Sequence, residues 1–499
     1  MARLDLYGGS YEARSVIANA QRCVNYFPEV NRKDSPVPFT YYQRPGLRKL
    51  VRDAANRAPV RGLYRASNGN GYCVIGQKVY SISPGWVLTH IGTLVAAGTT
   101  PVSFIDNGIE IWLVDGSTSG YSIILATNVF SVVVDATGTF TGATRVDYID
   151  TFMIWNVPGT NQFGSTLSNS LSFNALYVAA KTAFPDPLVV PIINRHEIIL
   201  LGQLKSEIWY NAGNAQFPFA LLPGAYIEHG CGAPYSPATA DIELFWLSQD
   251  LQGDRMILSQ KGYDTRRISN HALEWAMMQM AIVSDAIGFT FQQGGHVYYE
   301  IVFPSAGQAW LYDAALGEEP TMAWHQRCWG GPNGLERPRE RCAAFMYGTN
   351  VVGDYADGTI YALDISRYYD EVGDAEQNIP CVKGFPHIVQ GMNNTTGRPE
   401  LADGRNIQIH QFLLDFQVGE APLDAAGNPA EVWLRWSRDK GKTFGTEVLQ
   451  SVGAPGEYMT QPQWATAGLA RDFVFEIGHS IRGPAALNSA WIDATILNN

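Results

Sequence analysis

Cysteine is scarce in this chain of 499 residues, and its six cysteines stand far apart without a C-x-x-C pair. That spacing argues against a disulfide framework and against paired zinc ligands, and it indicates reduced, mostly buried thiols in a reducing compartment. A run of about 18 apolar residues is also missing, which excludes a membrane-spanning helix. The opening MARLDLYGGS has no apolar stretch of the kind found in signal peptides. We therefore expect a soluble protein that is made in the cytoplasm.

Charged residues are few, at 16%, whereas Gly (49), Tyr (24), Phe (22) and Trp (13) are plentiful. This composition favours short strands joined by glycine turns over long charged helices. Seven segments share a rhythm of apolar strand, polar or glycine turn and second apolar strand; they begin at Tyr72, Ile109, Phe152, Glu197, Ile242, Val297 and Val351. Hairpins that recur about every 40 to 50 residues are typical of a β-propeller. The sequence predicts an all-β fold with a propeller of about six to seven blades.

The end of this rhythm suggests domain boundaries. We expect residues 1–65 to form a basic, extended N-terminal arm and the start of the first blade, and residues 66–370 to form the propeller. Residues 371–384 are polar and are predicted to be a linker. Residues 385–499 alternate in longer strands, such as IQIHQFLLDFQVG, which predicts a C-terminal β-sandwich-like domain.

Charge is distributed unevenly along the chain. Residues 1–65 contain twelve Arg or Lys and five Asp or Glu, a balance of +7, whereas the whole chain is at −12 and the remainder therefore at −19. An acidic body repels polyanions such as nucleic acid. The basic segment is suited to an acidic partner, to DNA phosphate, or to the acidic body of its own chain.

One turn motif is well defined. WSRDKGKTF matches the Asp-box hairpin S-x-D-x-G-x-T-F through Ser437, Asp439, Gly441, Thr443 and Phe444. The aspartate can accept backbone N–H bonds, and the glycine permits positive φ. Sialidases carry several such boxes, but the box is a turn remote from catalysis and only one copy is present here. We interpret it as a structural turn.

Other motifs lack the residues that their chemistry requires. GYCVIGQK has glutamine where a phosphate loop has lysine, and GHSIRG has arginine where a nucleophile elbow has glycine. His325, Cys328 and Cys342 are three potential metal ligands, but they lack the paired spacing of a zinc site. We therefore expect no catalytic, cofactor-binding or metal-binding residues, and no enzymatic activity.

The opening segment carries the most specific signal. SYEARSVIANAQRCVNYFPE, followed by TYYQRPGLRKL, resembles the N-terminal signature of the packaged-DNA stabilisation proteins, the tail hub or nozzle proteins of short-tailed phages (podoviruses). The matching residues are Tyr11, Arg14, Ser15, Ile17, Ala18, Ala20, Gln21, Arg22, Cys23, Asn25, Pro28, Glu29, Arg44, Pro45 and Gly46. The resemblance covers residues 8–65 of the chain.

This resemblance implies a structural role in the virion tail, after assembly in the host bacterial cytoplasm. It implies a homohexameric ring below the portal and its adaptor that extends the DNA channel, retains the packaged genome and supports its ejection. The implied partners are the portal–adaptor ring, a tail needle, tail fibres or tailspikes, and double-stranded DNA that passes without sequence-specific binding. Within the basic segment we predict an assembly interface at Arg14, Arg22, Tyr26 and Arg44, with Arg14 and Arg22 in charge-assisted bonds.

The alternative is a glycan-binding or sialidase-like propeller. Such a site needs arginines and a Tyr/Glu pair that converge on the propeller axis. The blades contain suitable residue types, namely Arg145, Arg195, Arg255, Tyr210 and Glu300. Whether they converge is a question for the tertiary structure.

Overall fold

Strands dominate the residues that the computed structural model describes, which are 1–316, 323–332, 334–389 and 405–497. Seven strands precede the regular repeats: β1 (Ala2–Asp5), β2 (Tyr11–Glu12), β3 (Ala20–Gln21), β4 (Cys23–Val24), β5 (Tyr26–Val30), β6 (Phe39–Gln43) and β7 (Gly46–Arg52). β2 and β3 pair as a small hairpin and β5 pairs with β6, whereas β1, β4, β6 and β7 pair with strands from much later in the chain.

Six groups of four antiparallel strands follow, and we number them as blades 1 to 6. Blade 1 holds β8 (Val60–Arg65), β9 (Gly71–Ile75), β10 (Lys78–Ile82) and β11 (Leu88–Thr93); blade 2 holds β12 (Ser103–Asp106), β13 (Glu110–Val114), β14 (Gly120–Ile124) and β15 (Val129–Val132); blade 3 holds β16 (Val146–Ile149), β17 (Phe152–Asn156), β18 (Gln162–Ser165) and β19 (Val178–Ala180). Blade 4 holds β20 (Leu188–Asn194), β21 (Glu197–Gly202), β22 (Ser206–Asn211) and β23 (Phe219–Ile227); blade 5 holds β24 (Ala238–Ala240), β25 (Glu243–Gln249), β26 (Arg255–Lys261) and β27 (Asp264–Arg267).

Helix α1 (His271–Gln279) separates blade 5 from blade 6, and Asn270 caps its start by accepting a bond from the Leu273 N–H at 2.8 Å. Blade 6 holds β28 (Ile287–Gln293), β29 (His296–Phe303), β30 (Gln308–Asp313) and β31 (Trp324–Arg327), with a 3₁₀ turn at Ala314–Leu316. Within the described ranges, no helix has the length and apolar character needed to cross a bilayer.

The seventh blade is assembled from both ends of the propeller. After a short hairpin of β32 (Trp329–Gly331) and β33 (Gly334–Glu336), the chain forms β34 (Glu340–Met346), β35 (Thr349–Asp354) and β36 (Thr359–Asp364). The fourth strand of this sheet is β7, which pairs antiparallel with β36. Because β7 comes from before blade 1, its pairing closes the ring through backbone hydrogen bonds.

Each blade buries both of its faces against its neighbours. In β9, for example, Tyr72 and Val74 pack toward blade 2, whereas Cys73 and Ile75 pack toward blade 7. Alternate side chains of a strand point to opposite faces, so a blade between two others needs apolar residues at successive positions. Separate apolar cores lie between each of the seven neighbouring pairs of blades. The predicted propeller is therefore confirmed, with seven blades among the described residues.

After the propeller, β37 (Tyr369–Val372) and β38 (Ala375–Asn378) form a separate hairpin bonded to β7. The remaining strands build a β-sandwich: β39 (Cys381–Gly384), β40 (Ile388–Val389), β41 (Ile407–Phe416), β42 (Glu431–Ser437), β43 (Val448–Ser451), β44 (Gln463–Ala470), β45 (Asp472–His479) and β46 (Ala486–Ile496). One sheet has the order β44-β41-β46-β6-β5, with β1 also on β46, and the facing sheet includes β4-β39-β45-β42-β43. Their inner faces share one core, in which Phe412 and Phe475 stack at 4.8 Å between ring centroids. The predicted C-terminal β-sandwich is thus confirmed.

Two predicted segments differ from the structure. Residues 1–45 are not a separate arm, because β1, β4, β5 and β6 are integral strands of the sandwich sheets. Residues 371–384, predicted to be a linker, instead complete the β37–β38 hairpin and form β39. Their polar composition has a structural cause: Glu371 and Asp374 accept bonds from the main chain and side chains of β7.

Candidate functional site: the propeller–sandwich junction

The N-terminal signature residues meet where the propeller joins the sandwich. On one side, Val24 of β4 pairs with Gln326 of the last strand of blade 6; on the other, it pairs with Val382 of the sandwich. This two-residue strand makes one continuous sheet from a blade and a sandwich sheet. We call the residues around it, 23–28, 44–47, 326–328, 368–371 and 379–382, the junction.

The side chain of Asn25 makes four hydrogen bonds at the centre of the junction. Its side-chain N–H₂ donates to the carbonyls of Cys328 (2.9 Å) and Pro380 (2.7 Å), and its oxygen accepts from the Cys328 N–H (3.0 Å) and Arg44 Nε (3.2 Å). The residue has φ of 56°, a left-handed conformation that asparagine tolerates better than most residues. An asparagine fits here because both of its amide atoms are used and its backbone turns sharply.

Arg44 and Asp370 form a bidentate ion pair inside the junction. Arg44 Nη1 donates to Asp370 Oδ1 at 2.9 Å and Nη2 donates to Oδ2 at 2.5 Å, and the two side chains are 1% and 0% exposed. Asp370 Oδ1 also accepts the Leu47 N–H at 3.0 Å. Burial opposes the charge on the guanidinium, but Asp370 outweighs it and raises the pKa of Arg44 above its already high value. The pair ties the start of β7 to the β37–β38 hairpin.

Gly46, the glycine of the Arg44-Pro45-Gly46 run, lies close against neighbouring backbone. Its N–H donates to the Arg367 carbonyl at 2.9 Å, and a Cβ at this position would lie 2.2 Å from the Tyr369 carbonyl oxygen. The opposing atoms are backbone, which does not yield as a flexible side chain would. The chain therefore needs glycine where it passes from the sandwich into blade 7.

Two of the four residues predicted to form an assembly interface lie inside the chain. Tyr26 is 0% exposed in the sandwich core, edge-on to Tyr41 and His479, and Arg44 is committed to Asp370. A subunit surface needs side chains that a neighbour can reach, so we correct the prediction for Tyr26 and Arg44. Sequence reasoning missed Asp370, because its partner lies 326 residues away.

Arg14 and Arg22 lie at the surface, on or beside the β2–β3 hairpin. Arg22 Nη1 lies 3.5 Å from Glu476 Oε1 of the sandwich, a charge-assisted contact with a carboxylate. Arg14 is exposed, and its guanidinium carbon lies 4.7 Å from the Trp275 ring centroid of helix α1, a cation–π contact instead of the expected carboxylate bond. The hairpin thus bridges the sandwich and the propeller, and within its tip, residues 13–19, the side chains of Arg14, Ser15, Ile17 and Ala18 are exposed.

His387 holds this hairpin from the sandwich side. Its Nδ1 lies 2.8 Å from Asp472 Oδ1, and its Nε2 lies 2.8 Å from the Val16 carbonyl. Both partners accept, so the doubly protonated imidazolium satisfies both contacts. Burial disfavours that charge, but the bonds to Asp472 and Val16 prevail and raise the pKa of His387 above its usual value.

A cleft of about 540 Å³ opens beside the junction, between the propeller and the sandwich. Signature residues Pro28 and Glu29 line it together with the aromatic rings of Phe27, Tyr42 and Tyr368. Tyr42 is 44% exposed. The cleft therefore offers aromatic surface and a carboxylate to a partner.

The Asp-box residues form a closed turn at the end of β42. Asp439 Oδ1 accepts from Ser437 Oγ (2.6 Å) and from the Thr443 N–H (2.9 Å), and Gly441 has φ of 81°. These bonds, with that of Ser437 first, lower the pKa of Asp439 far below its usual range. Phe444 packs below Arg435, 5.0 Å from ring centroid to guanidinium carbon. The carboxylate is occupied by its own turn.

The five residues considered for a glycan site do not share one place. Arg145 lines the axial channel of the propeller. Arg255 donates to the main-chain carbonyls of Met277 and Met280. Glu300 is fully buried, 3.6 Å from Arg327 Nε, and burial raises the pKa of Glu300 to about 8 against the opposing effect of Arg327. Arg195 lies in the left-handed turn after β20 and Tyr210 lies on the exposed side of β22.

The potential metal ligands are also apart. His325 is buried in blade 6, where it contacts the ring of Phe27 at 5.2 Å between centroids. Cys328 lies in the junction and Cys342 lies in β34, between blades 7 and 1. Within the part of the chain that the structure describes, no group of three or more His, Cys, Asp or Glu side chains is placed to hold a metal ion.

The fold and the junction together define the class: a seven-bladed β-propeller that an N-terminal strand closes, joined by the same N-terminal segment to a β-sandwich. Family models then specify which one. A model described as "Bacteriophage P22 Gp10, beta-propeller" matches residues 8–368, and one described as "Bacteriophage P22 Gp10, beta-sandwich" matches residues 400–495. The chain belongs to the bacteriophage P22 Gp10 family of packaged-DNA stabilisation proteins, as the opening segment indicated. Members of this family are components of the virion tail.

Comparison of whole folds finds other propellers. A streptogramin B lyase structure shares 8% identity at a TM-score of 0.42, covering 64% of this chain and 97% of that one. Virginiamycin B lyase from Staphylococcus aureus gives the same identity and TM-score, and the WD40 propeller domain of Doa1 gives 10% and 0.39; each covers 64% of this chain, and 99% and 96% of its own length. Among curated protein sequences, none matches this chain.

Proposed function

We propose that this protein is a structural tail hub, or nozzle: six copies form a ring below the portal and its adaptor, extend the DNA channel, retain the packaged genome and support its ejection. The observation that carries the proposal is the family match across both domains, residues 8–368 and 400–495. In the same proposal the chain is not an enzyme, it is assembled in the host bacterial cytoplasm, and a tail needle, tail fibres or tailspikes attach to it.

The construction of the junction supports such a role. A ring that withstands the pressure of packaged DNA needs subunits whose domains do not shift relative to one another. Here β4 joins a blade to a sandwich sheet, and β7 closes the propeller. The buried Arg44–Asp370 pair holds the start of β7 against the β37–β38 hairpin. Opening this junction requires breaking backbone pairing and exposing a buried ion pair, which is costly.

We assign the β2–β3 hairpin as the surface that contacts a neighbouring subunit or the adaptor. Its tip is exposed, Ile17 is 43% exposed, and Arg14 lies at its start. Arginine beside apolar surface is typical of protein interfaces. The cleft lined by Pro28, Glu29 and Tyr42 lies on the same N-terminal segment and is a second place for such a contact.

Charge supports passage of DNA without adhesion. The chain carries a net charge of −12, and an acidic protein repels the phosphate backbone. The basic residues of the N-terminal segment are in part neutralised within the chain, as Arg22, Arg44 and Arg52 show by their contacts with Glu476, Asp370 and Asp374. DNA therefore passes such a ring without sequence-specific binding.

The test is the assembly state of the purified protein, alone and with DNA-filled heads that lack this component. We expect rings of about six copies, seen by electron microscopy and by light scattering, or rings that form on the heads. Replacing residues 13–19 with a Gly-Ser loop should reduce ring formation or docking while the blades stay folded. The matched control replaces the exposed turn at residues 425–427, which should change neither.

Two outcomes would contradict the proposal. One is a monomer under both conditions that leaves genome retention unchanged when added to heads. The other is hydrolysis of sialosides or other glycans that a blade carboxylate substitution abolishes, which would favour the glycan-active propeller.

A further inference from the structure

Three arginines converge at one end of the propeller's axial channel. The innermost strands of the blades run in the same direction, so their first residues share one mouth of the channel. Arg61 lies at the start of β8, Arg145 directly before β16, and Arg341 at the start of β34. All three line a cavity of about 290 Å³ on the axis. They come from blades 1, 3 and 7 and are 84 and 196 residues apart.

Of the three arginines, Arg61 has its charge balanced by a carboxylate. Its Nη2 lies 3.3 Å from Asp115 Oδ2, and both side chains are 1% exposed. Its Nε and Nη1 donate to the carbonyls of Thr100 (2.7 Å) and Gly76 (3.1 Å). Arg61 is therefore fixed in orientation, and its charge is balanced within the chain.

Arg341 is buried without a carboxylate partner. It is 7% exposed, it donates through Nη2 to the Thr99 carbonyl, and its Nε has no hydrogen-bond partner among the described residues. Within the described ranges, Arg341 forms no ion pair with a carboxylate. Burial, together with nearby Arg337 and Arg61, lowers the pKa of Arg341 to about 10, so it stays charged at neutral pH.

Arg145 adds a second charge on the opposite side of the mouth. Its Nη1 donates to the Pro237 carbonyl at 2.7 Å. The Asp147 carboxylate lies near enough to stabilise the charge of Arg145, but among the described residues no carboxylate forms a direct ion pair with it. Tyr235 also lines this cavity, near Arg341, Arg61 and Asp115, and burial raises the pKa of its hydroxyl to about 12. The hydroxyl is therefore a hydrogen-bond donor at neutral pH.

We propose that this mouth of the channel binds a small oxyanion, with phosphate as the preferred chemistry, held by Arg341, Arg145 and Tyr235. A buried cation without a partner is costly, and an anion that binds Arg341 removes that cost. Guanidinium forks and a hydroxyl donor match the oxygen geometry of phosphate or carboxylate. The cavity admits an ion of that size but no macromolecule.

Titration calorimetry with sodium phosphate tests the site, with sodium chloride at equal ionic strength as the blank. We expect saturable binding to the wild-type protein and at least roughly tenfold weaker binding to R341Q and R145Q, because each loses charge-assisted hydrogen bonds. R32Q is the matched control: it removes an arginine that is 87% exposed and paired with Asp34, and it should bind phosphate as the wild type does.

A second titration with citrate separates the two sources of oxyanion. Citrate binding that is lost in R341Q and R145Q assigns the same site to carboxylate chemistry and supports an oxyanion site. Absence of binding of both ions to the wild type, or unchanged binding to both variants, overturns the proposal. If R341Q does not fold, as judged by circular dichroism, R145Q decides, since that side chain is only partly buried.

Discussion

Replacing Asp370 with asparagine should weaken the whole junction. The substitution keeps the shape of the side chain but leaves the 1% exposed guanidinium of Arg44 without its counter-charge. Breaking a buried pair by removing one partner costs about 3 kcal/mol or more. Unfolding entropy is about 2.1 cal/mol/K per residue, or about 1 kcal/mol/K for a chain of this length, so the melting temperature should fall by about 3 °C.

Differential scanning calorimetry measures this shift, and D374N is the matched control. Asp374 lies in the turn of the same hairpin and also binds arginine and lysine, but it is largely exposed, so its loss should scarcely move the transition. The double variant R44M/D370L, which removes both charges, should be more stable than D370N. A D370N shift no larger than that of D374N would refute the reasoning that a buried ion pair holds the junction.

Three further predictions follow from buried or clamped groups. Burial lowers the pKa of His479 to about 3, so the folded state resists protonation and loses stability as pH falls below 6.5. Between pH 7 and pH 5 the free energy of unfolding of the wild type should therefore fall by about 2 kcal/mol relative to that of H479Q, as measured by urea unfolding. An unchanged difference between the two proteins would contradict this prediction. The raised pKa of His387 gives the opposite sign: its clamp is complete below pH 6.5 and is lost as pH rises through the folded pKa. Because amide exchange is itself base-catalysed, the quantity to compare is the protection factor relative to the unfolded chain. The protection of residues 13–19 should fall from pH 6 to pH 8 in the wild type but not in H387Q, and equal pH dependence of protection in both would exclude the clamp. All six cysteines are free and five are buried, so thiol counting should find six groups in denaturant and slow labelling in the native protein; three disulfides would refute this.

The local sequence pattern was sufficient to predict the propeller. All seven hairpins identified from their rhythm coincide with the two middle strands of a blade, from β9–β10 to β35–β36. A blade buries both faces against similar neighbours, so apolar strand, turn and apolar strand recur at each step. The prediction of a linker at residues 371–384 is wrong because the charges of this segment pair with β7, which lies more than 300 residues earlier.

The sequence by itself determined the all-β class, the repeat, the sandwich and, through a short signature, the family. Tertiary structure alone decided what the signature residues do: Asn25, Arg44 and Gly46 fix the junction, whereas residues 13–19 remain at the surface. It also brought Arg61, Arg145 and Arg341 to one mouth of the channel. The physical reason is the separation along the chain over which each interaction acts. Alternation and turn chemistry act between neighbours in sequence, whereas an ion pair or a shared cavity depends on where distant strands pair.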